Sequence, residues 1–177
     1  MKRRSAIKSL MIITGGITIL PSCSGDPAKS SIQLNNLDIS AAQEALLAEI
    51  AETFIPKTDT PGAKELKLHL FVLKMVDDCY PEADQKLFVS GLNSIDEIAK
   101  EKYSLAFAAC TQQQRAGLLN SSEKELEASG DVLTFLNITK RRVIQGFTNS
   151  KFVMTDMKQY EMVPGRYNGY FPLTQQA

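Results

Sequence analysis

An all-α fold follows from three features of the sequence: apolar residues spaced three and four apart, polar caps ahead of those runs, and prolines between them. No segment alternates apolar and polar residues between hairpin turns, so no sheet is expected. No internal repeat of solenoid length is visible. The expected body is a compact helical domain of about five helices with an irregular aromatic C-terminal segment. A signal peptide and a flexible tether precede it.

The first helix opens at Ser40, with Gln43 completing a capping box. Leu46, Leu47, Ile50, Ala51 and Phe54 form its apolar stripe, and Pro56 stops it. Thr60-Pro61 supplies a cap and a first-turn proline for a second helix carrying Leu66, Leu70, Leu73 and Val76. Leu68, Phe71 and Val72 make that helix apolar around much of its circumference, which predicts deep burial. After Pro81, a third stripe runs through Leu87, Phe88, Leu92, Ile95 and Ile98. Thr111 with Gln114 caps a helix leading into Leu118 and Leu119, and Val132, Phe135, Leu136, Val143 and Phe147 form the last stripe. From Tyr160 to Pro172, aromatics mix with prolines and glycines, a pattern that suits a core cover or an interface better than a helix.

The amino terminus reads as a targeting device over residues 1–22. Lys2, Arg3, Arg4 and Lys8 form an acid-free basic head, and the apolar run Leu10–Leu20 is about half the ~20 residues a membrane-spanning helix needs. Leu20-Pro21-Ser22-Cys23 resembles a bacterial lipobox, in which Cys23 is the thiol that takes the lipid. An uncleaved signal anchor is the plainer alternative. Arg3, Arg4 and Lys8 also fit a twin-arginine export signal, from which Lys2 and Ala6 depart; a Sec-routed lipoprotein is the other reading. Residues 23–39, polar with isolated apolar side chains, read as the tether, and residues 40–177 as the folded domain.

Composition narrows the function. At 177 residues with 44% apolar and 23% charged residues, the chain suits one globular domain and not a multi-span membrane protein. Twenty basic residues balance 20 acidic ones, which removes the electrostatic footprint of a nucleic-acid binder. Loss of residues 1–22 removes four basic and no acidic residues, leaving a body near −4.

Few residues are suited to catalysis. His69 is the one histidine, too few for a metal cage, and its place among leucines suits packing. Cys79 and Cys110 are a candidate disulfide in an oxidising compartment, with two separate buried thiols as the alternative. Asp77 and Asp78 are adjacent and point apart on a helix. Lys140-Arg141-Arg142 reads as a solvated helix face. No P-loop or dinucleotide fingerprint occurs.

The string from Ile50 to Ala63, with Ile55-Pro56-Lys57-Thr58-Asp59-Thr60-Pro61-Gly62-Ala63 at its centre, resembles the signature of the gluconate 2-dehydrogenase subunit 3 family. Asp77-Asp78-Cys79-Tyr80, Gly146-Phe147-Thr148-Asn149-Ser150 and Pro164-Gly165-Arg166-Tyr167 resemble its later segments in the same order, over roughly Ala42 to Leu173. Asn149 departs from the small or hydroxylated residue expected there. The resemblance implies a helical, non-catalytic small subunit that escorts, exports and stabilises a large flavoprotein of the glucose-methanol-choline type. That partner would hold the FAD and oxidise sugars or sugar acids in the periplasm, passing electrons in some complexes to a cytochrome c subunit. This chain itself would carry no cofactor and no metal, and would be held at the cell envelope by its lipid anchor. Pro56, Thr58, Asp59, Thr60, Pro61 and Gly62 in one loop, and Pro164, Gly165, Tyr167 and Tyr170 in the other, are the candidate partner contacts; simple helix capping and core closure is the competing role. A free-standing envelope lipoprotein that binds a small ligand or another envelope protein is the alternative function.

Overall fold

A computed structural model describes residues 29–125 and 130–158, together with Gly165, Gly169 and Tyr170. The export-signal candidates Arg3, Arg4 and Lys8, the lipidation candidate Cys23, and the candidate contacts Pro164 and Tyr167 lie outside the described residues. The body is helical as expected: α1 (Ala41–Phe54), α2 (Leu68–Cys79), α3 (Glu82–Tyr103), α4 (Gln112–Glu125) and α5 (Gly130–Thr148). A 3-10 turn at Phe107–Ala109 and a π turn at Phe152–Met157 complete it. Among the described residues there is no strand, only an isolated antiparallel bridge between Lys29 and Ser40.

Both capping boxes form. Ser40 Oγ accepts the Gln43 N–H at 3.2 Å while Gln43 Oε1 accepts the Ser40 N–H at 2.9 Å. Thr111 and Gln114 do the same at 3.3 and 2.9 Å, opening α4. Leu47, Ala48, Ile50 and Ala51 bury the inner face of α1.

The second helix starts later than expected. Thr60-Pro61 opens only a single turn, in which Leu66 N donates to Gly62 O and Lys67 N to Lys64 O. Lys67 then takes a left-handed conformation (φ 52°, ψ 38°), which breaks the path and delays α2 to Leu68. The Thr60 side chain does not cap this turn: its Oγ1 lies 3.4 Å from Thr58 Oγ1, and the Ala63 N–H goes instead to Ile55 O at 2.9 Å. The buried stripe of α2 is Leu68, Val72, Leu73 and Val76, rotated from the expected one so that Leu70 is only half-buried.

The most extensive interface joins α3 to α5. Gly91 makes it possible, since a Cβ there would lie 2.4 Å from Phe135 Cβ and 2.6 Å from Asp131 O. The Phe88 and Phe135 rings meet beside it, centroids 5.0 Å apart and tilted by 55°. At Gly146, a Cβ would meet Phe71 at 2.9 Å and Leu68 at 3.3 Å, so α2 crosses α5 there at similarly close range. α3 carries Glu82 and Asp84 in its first turn and Lys100 and Lys102 in its last, matching the helix dipole at both ends.

Over residues 30–39 the structure does not fit a flexible tether. Residues 30–39 form a closed strap on the body, with Leu37 and Ile39 buried in the common core. Ser30 N donates to Ile39 O at 3.0 Å, closing its base. Its tip is held by a buried carboxylate: Asp77 accepts the backbone N–H groups of Asn35, Asn36 and Leu37 at 2.8, 2.7 and 2.9 Å. Polar composition hid this, because the strap is fixed by bonds to a residue about 40 positions away.

The candidate disulfide does not form: Cys79 and Cys110 are separate free thiols, as in the alternative reading, although only Cys110 is buried. Cys79 is exposed at the end of α2, whereas Cys110 is buried with Sγ 3.5 Å from Ala106 O.

Candidate partner-docking platform

The loop that follows α1 is built around one carboxylate. Glu52 lies in the last turn of α1, where a negative charge opposes the helix dipole. It is held there by the loop, accepting the backbone N–H of Lys57 on Oε1 at 3.0 Å and that of Lys64 on Oε2 at 2.8 Å. Gly62 passes directly over this carboxylate. A Cβ there would stand 2.4 and 2.7 Å from its oxygens and 2.7 Å from Lys57 N, so no larger residue fits without displacing backbone.

Ala63 N donates to Ile55 O at 2.9 Å, and Thr58 N to Thr60 O at 3.1 Å, which closes the loop on itself. Pro56 and Pro61 fix two further backbone torsions. The result is a stiff projection: Thr58 and Asp59 are exposed, Pro56, Thr60 and Pro61 half-buried, and Gly62 buried. Lys57 and Glu65 pair across its base at 2.8 Å, both exposed, and the pair raises the Lys57 pKa.

A second group braces the platform from below. Arg115 on α4 donates from Nε to Phe107 O and Cys110 O at 3.1 and 3.0 Å, and from Nη2 to Ala108 O. Its Nη1 pairs with Glu49 Oε2 at 2.6 Å, and its guanidinium lies 5.6 Å from the Phe107 ring centroid. Glu49 also receives Lys64 Nζ, joining platform, α1 and the 3-10 turn. Burial pushes the Glu49 pKa up, but Lys64 and Arg115 outweigh it and hold the carboxyl below its ordinary range. Between these parts lies a shallow polar cavity of about 210 Å³ lined by Glu52, Thr53, Pro56, Lys57, Gln112 and Arg115.

Of the second set of candidate contacts, Gly165 and Tyr170 are described and exposed, Tyr170 to 97%. Glu52, Glu49 and Arg115 escaped the sequence reading. An acid in the last turn of a helix followed by Pro56 is the signal that could have flagged Glu52.

The other singled-out residues take structural places. His69 is mostly buried, its Nε2 3.9 Å from Glu44 Oε1 and its Nδ1 without a hydrogen-bond partner. Burial lowers its pKa, and Glu44 offsets this only in part. Asp77 and Asp78 differ in setting, Asp77 buried beneath the strap and Asp78 exposed, yet they do not diverge fully: Lys74 Nζ reaches both, at 3.5 and 3.1 Å. Among the described residues no group of three or more His, Cys, Asp or Glu is arranged to hold a metal ion. No described helix is long and apolar enough to cross a membrane.

No curated protein and no solved structure matches the chain at a significant level. The family model for gluconate 2-dehydrogenase subunit 3 matches residues 41–165, from the first residue of α1 past the π turn. That span contains all five helices and the whole platform, and it makes this chain a member of the gluconate 2-dehydrogenase subunit 3 family.

Proposed function

We propose that this chain is the non-catalytic small subunit of a dehydrogenase complex, which escorts, exports and stabilises a large FAD-containing oxidoreductase of the glucose-methanol-choline type. The partner oxidises sugars or sugar acids in the periplasm, passing electrons in some such complexes to a cytochrome c subunit, and lipidation at Cys23 holds the assembly at the membrane. The observation that carries this reading is the family match across the whole helical body. The platform supports it. A loop whose backbone is already tied to Glu52 and stiffened by Pro56 and Pro61 loses little conformational entropy on docking. Thr58 and Asp59 at its tip offer hydroxyl and carboxylate groups to a partner surface, and the exposed Tyr170 offers an aromatic ring.

The test is affinity purification of the tagged full chain from its host, with mass spectrometry and a visible spectrum of what accompanies it. A yellow flavoprotein in stoichiometric yield is expected. Removal of residues 1–22 should leave that flavoprotein in the cytoplasm; its normal export, or a colourless chain purified alone, overturns the escort role.

A further inference from the structure

From Val132 to Thr155 the sequence contains no acidic residue and carries Lys140, Arg141, Arg142 and Lys151. In a body that is acidic once residues 1–22 are removed, this is a local reversal of sign. α5 sorts these groups between two faces. Arg142 turns back onto the body, stacking 5.0 Å over the Tyr80 ring and donating to Tyr80 Oη at 2.9 Å and Gln145 Oε1 at 2.6 Å. Asn137, Arg141, Ile144, Thr148 and Lys151, spaced three and four apart, run along the exposed face. Ile144 is 48% exposed, and on the π turn beyond it Met157 is 56% exposed next to Lys158. Asp131, at the start of α5, accepts the Ser90 hydroxyl, and Asp156 is an exposed acid on the π turn, its Oδ1 3.0 Å from Thr155 Oγ1, so Arg141, Lys151 and Lys158 leave this face net positive. Among the described residues, the outer surfaces of α3 and the platform are mixed in sign, with Glu82, Glu97 and Glu101 among the lysines of α3, and Asp59 and Glu65 on the platform.

The strap adds a second observation. Because residues 30–39 are folded onto the body, only six peptide units separate Cys23 from Lys29, a reach of at most about 20 Å. That is less than the roughly 30 Å width of a small domain. A body tied so closely to a bilayer has one side against the headgroups.

We infer that the outer face of α5 and the π turn rests on an anionic lipid surface. This part rests on the lipid-anchor element of the proposed function. Arg141, Lys151 and Lys158 meet the headgroup charge, while Ile144 and Met157 insert their apolar ends at the acyl boundary. A lipidated cysteine supplies attachment by itself, so the task of this face is orientation: it fixes which way the platform points.

The chain contains no tryptophan, so Ile144→Trp introduces a single clean reporter. The full chain carrying this substitution, processed in its host, is reconstituted with vesicles of phosphatidylcholine alone or with added phosphatidylglycerol. Flotation with phosphatidylcholine vesicles reads the anchor, independently of the face. The face is read by the indole, expected to shift to the blue and to be quenched by brominated lipid only when phosphatidylglycerol is present. High salt should reverse both effects. Adding Arg141→Glu and Lys151→Glu should lower the phosphatidylglycerol-dependent signal at least about tenfold, with far-UV circular dichroism unchanged. Flotation without any lipid-dependent change at the indole overturns the inference and leaves the anchor standing. An indole that shifts only when the dehydrogenase partner is bound also overturns it, and makes the face a protein interface. Failure to float while the indole still responds separates the two the other way, removing the anchor and keeping the face.

Discussion

Asp77 Oδ1 accepts the backbone N–H of Asn36 at 2.7 Å, and through this bond the end of α2 holds a strap that precedes α1. The side chain of Asp77 is fully buried, so its charge is sustained by those N–H groups together with Lys74 Nζ at 3.5 Å. Burial pushes the Asp77 pKa up, but the bonds from Asn35, Asn36 and Leu37 outweigh it and keep the carboxyl below the ordinary range. Replacement by alanine leaves three N–H groups without an acceptor and should cost about 3 kcal/mol. Urea unfolding measures the loss, and proteolysis within residues 30–39 should accelerate in the same variant.

The pH dependence of the strap follows from that depressed pKa. The unfolded chain binds the proton more readily, so the contribution of Asp77 is fully present above the ordinary carboxylate range. It is lost as pH falls through the lower, folded-state value. His69 acts at higher pH. Its folded-state pKa is lowered by burial, so the unfolded state takes up a proton first and stability declines as pH drops below the ordinary histidine range. His69→Gln should flatten the stability profile between neutral and mildly acid pH while leaving the Asp77 limb unchanged; thermal melts across that range check it.

Gly62→Ala should disturb the platform. The new methyl would press on Glu52 and on the Lys57 backbone, both fixed in place, at a cost of about 2–3 kcal/mol. Gly117 on α4 is the control, because the nearest atom to an added Cβ is Tyr103 Oη at 3.7 Å. Gly117→Ala should gain a few tenths up to about 1 kcal/mol from helix propensity. Chemical denaturation compares the two, and recovery of the partner from pull-downs should fall only for the Gly62 variant.

Gly91→Ala tests the α3–α5 interface. Phe135 Cβ and the Asp131 carbonyl leave no room, and the two helices must separate, costing about 3 kcal/mol. The melting temperature should drop and near-ultraviolet circular dichroism from the Phe88–Phe135 pair should weaken. An unchanged melt would contradict the close approach.

Arg115→Lys is a conservative change in charge only. Lysine cannot reach three carbonyls and Glu49 together, because its donors sit on one atom and not on a planar fork. Stability should fall by about 2 kcal/mol, and amide exchange at Phe107–Ala109 should accelerate.

What the sequence made legible was local. The two capping boxes need residues three apart, and the stripes of α1, α3 and α5 need only the helical period. The start of α2 is not legible in the sequence, because Thr60-Pro61 does begin a turn and nothing in the composition marks Lys67 for a left-handed backbone. The strap was hidden for another reason. Leu37 and Ile39 are two isolated apolar residues, and the group that captures the intervening backbone is far along the chain. The platform loop stood out through its prolines, whereas the acids and the arginine that hold it did not. Glu49 and Arg115 are 66 positions apart, and only the fold brings them within 2.6 Å.

The closed strap also bears on how the chain answers a pull. Tension arriving at Lys29 passes straight across to Ser40 through the bridge, so the helices feel it before the loop between them does. If that bridge and the Asp77 clip give way, residues 30–39 pay out about 30 Å of slack before α1 is tugged again. Were the chain moored at Cys23 as proposed, the strap would serve as a shock cord, folded away until it is needed.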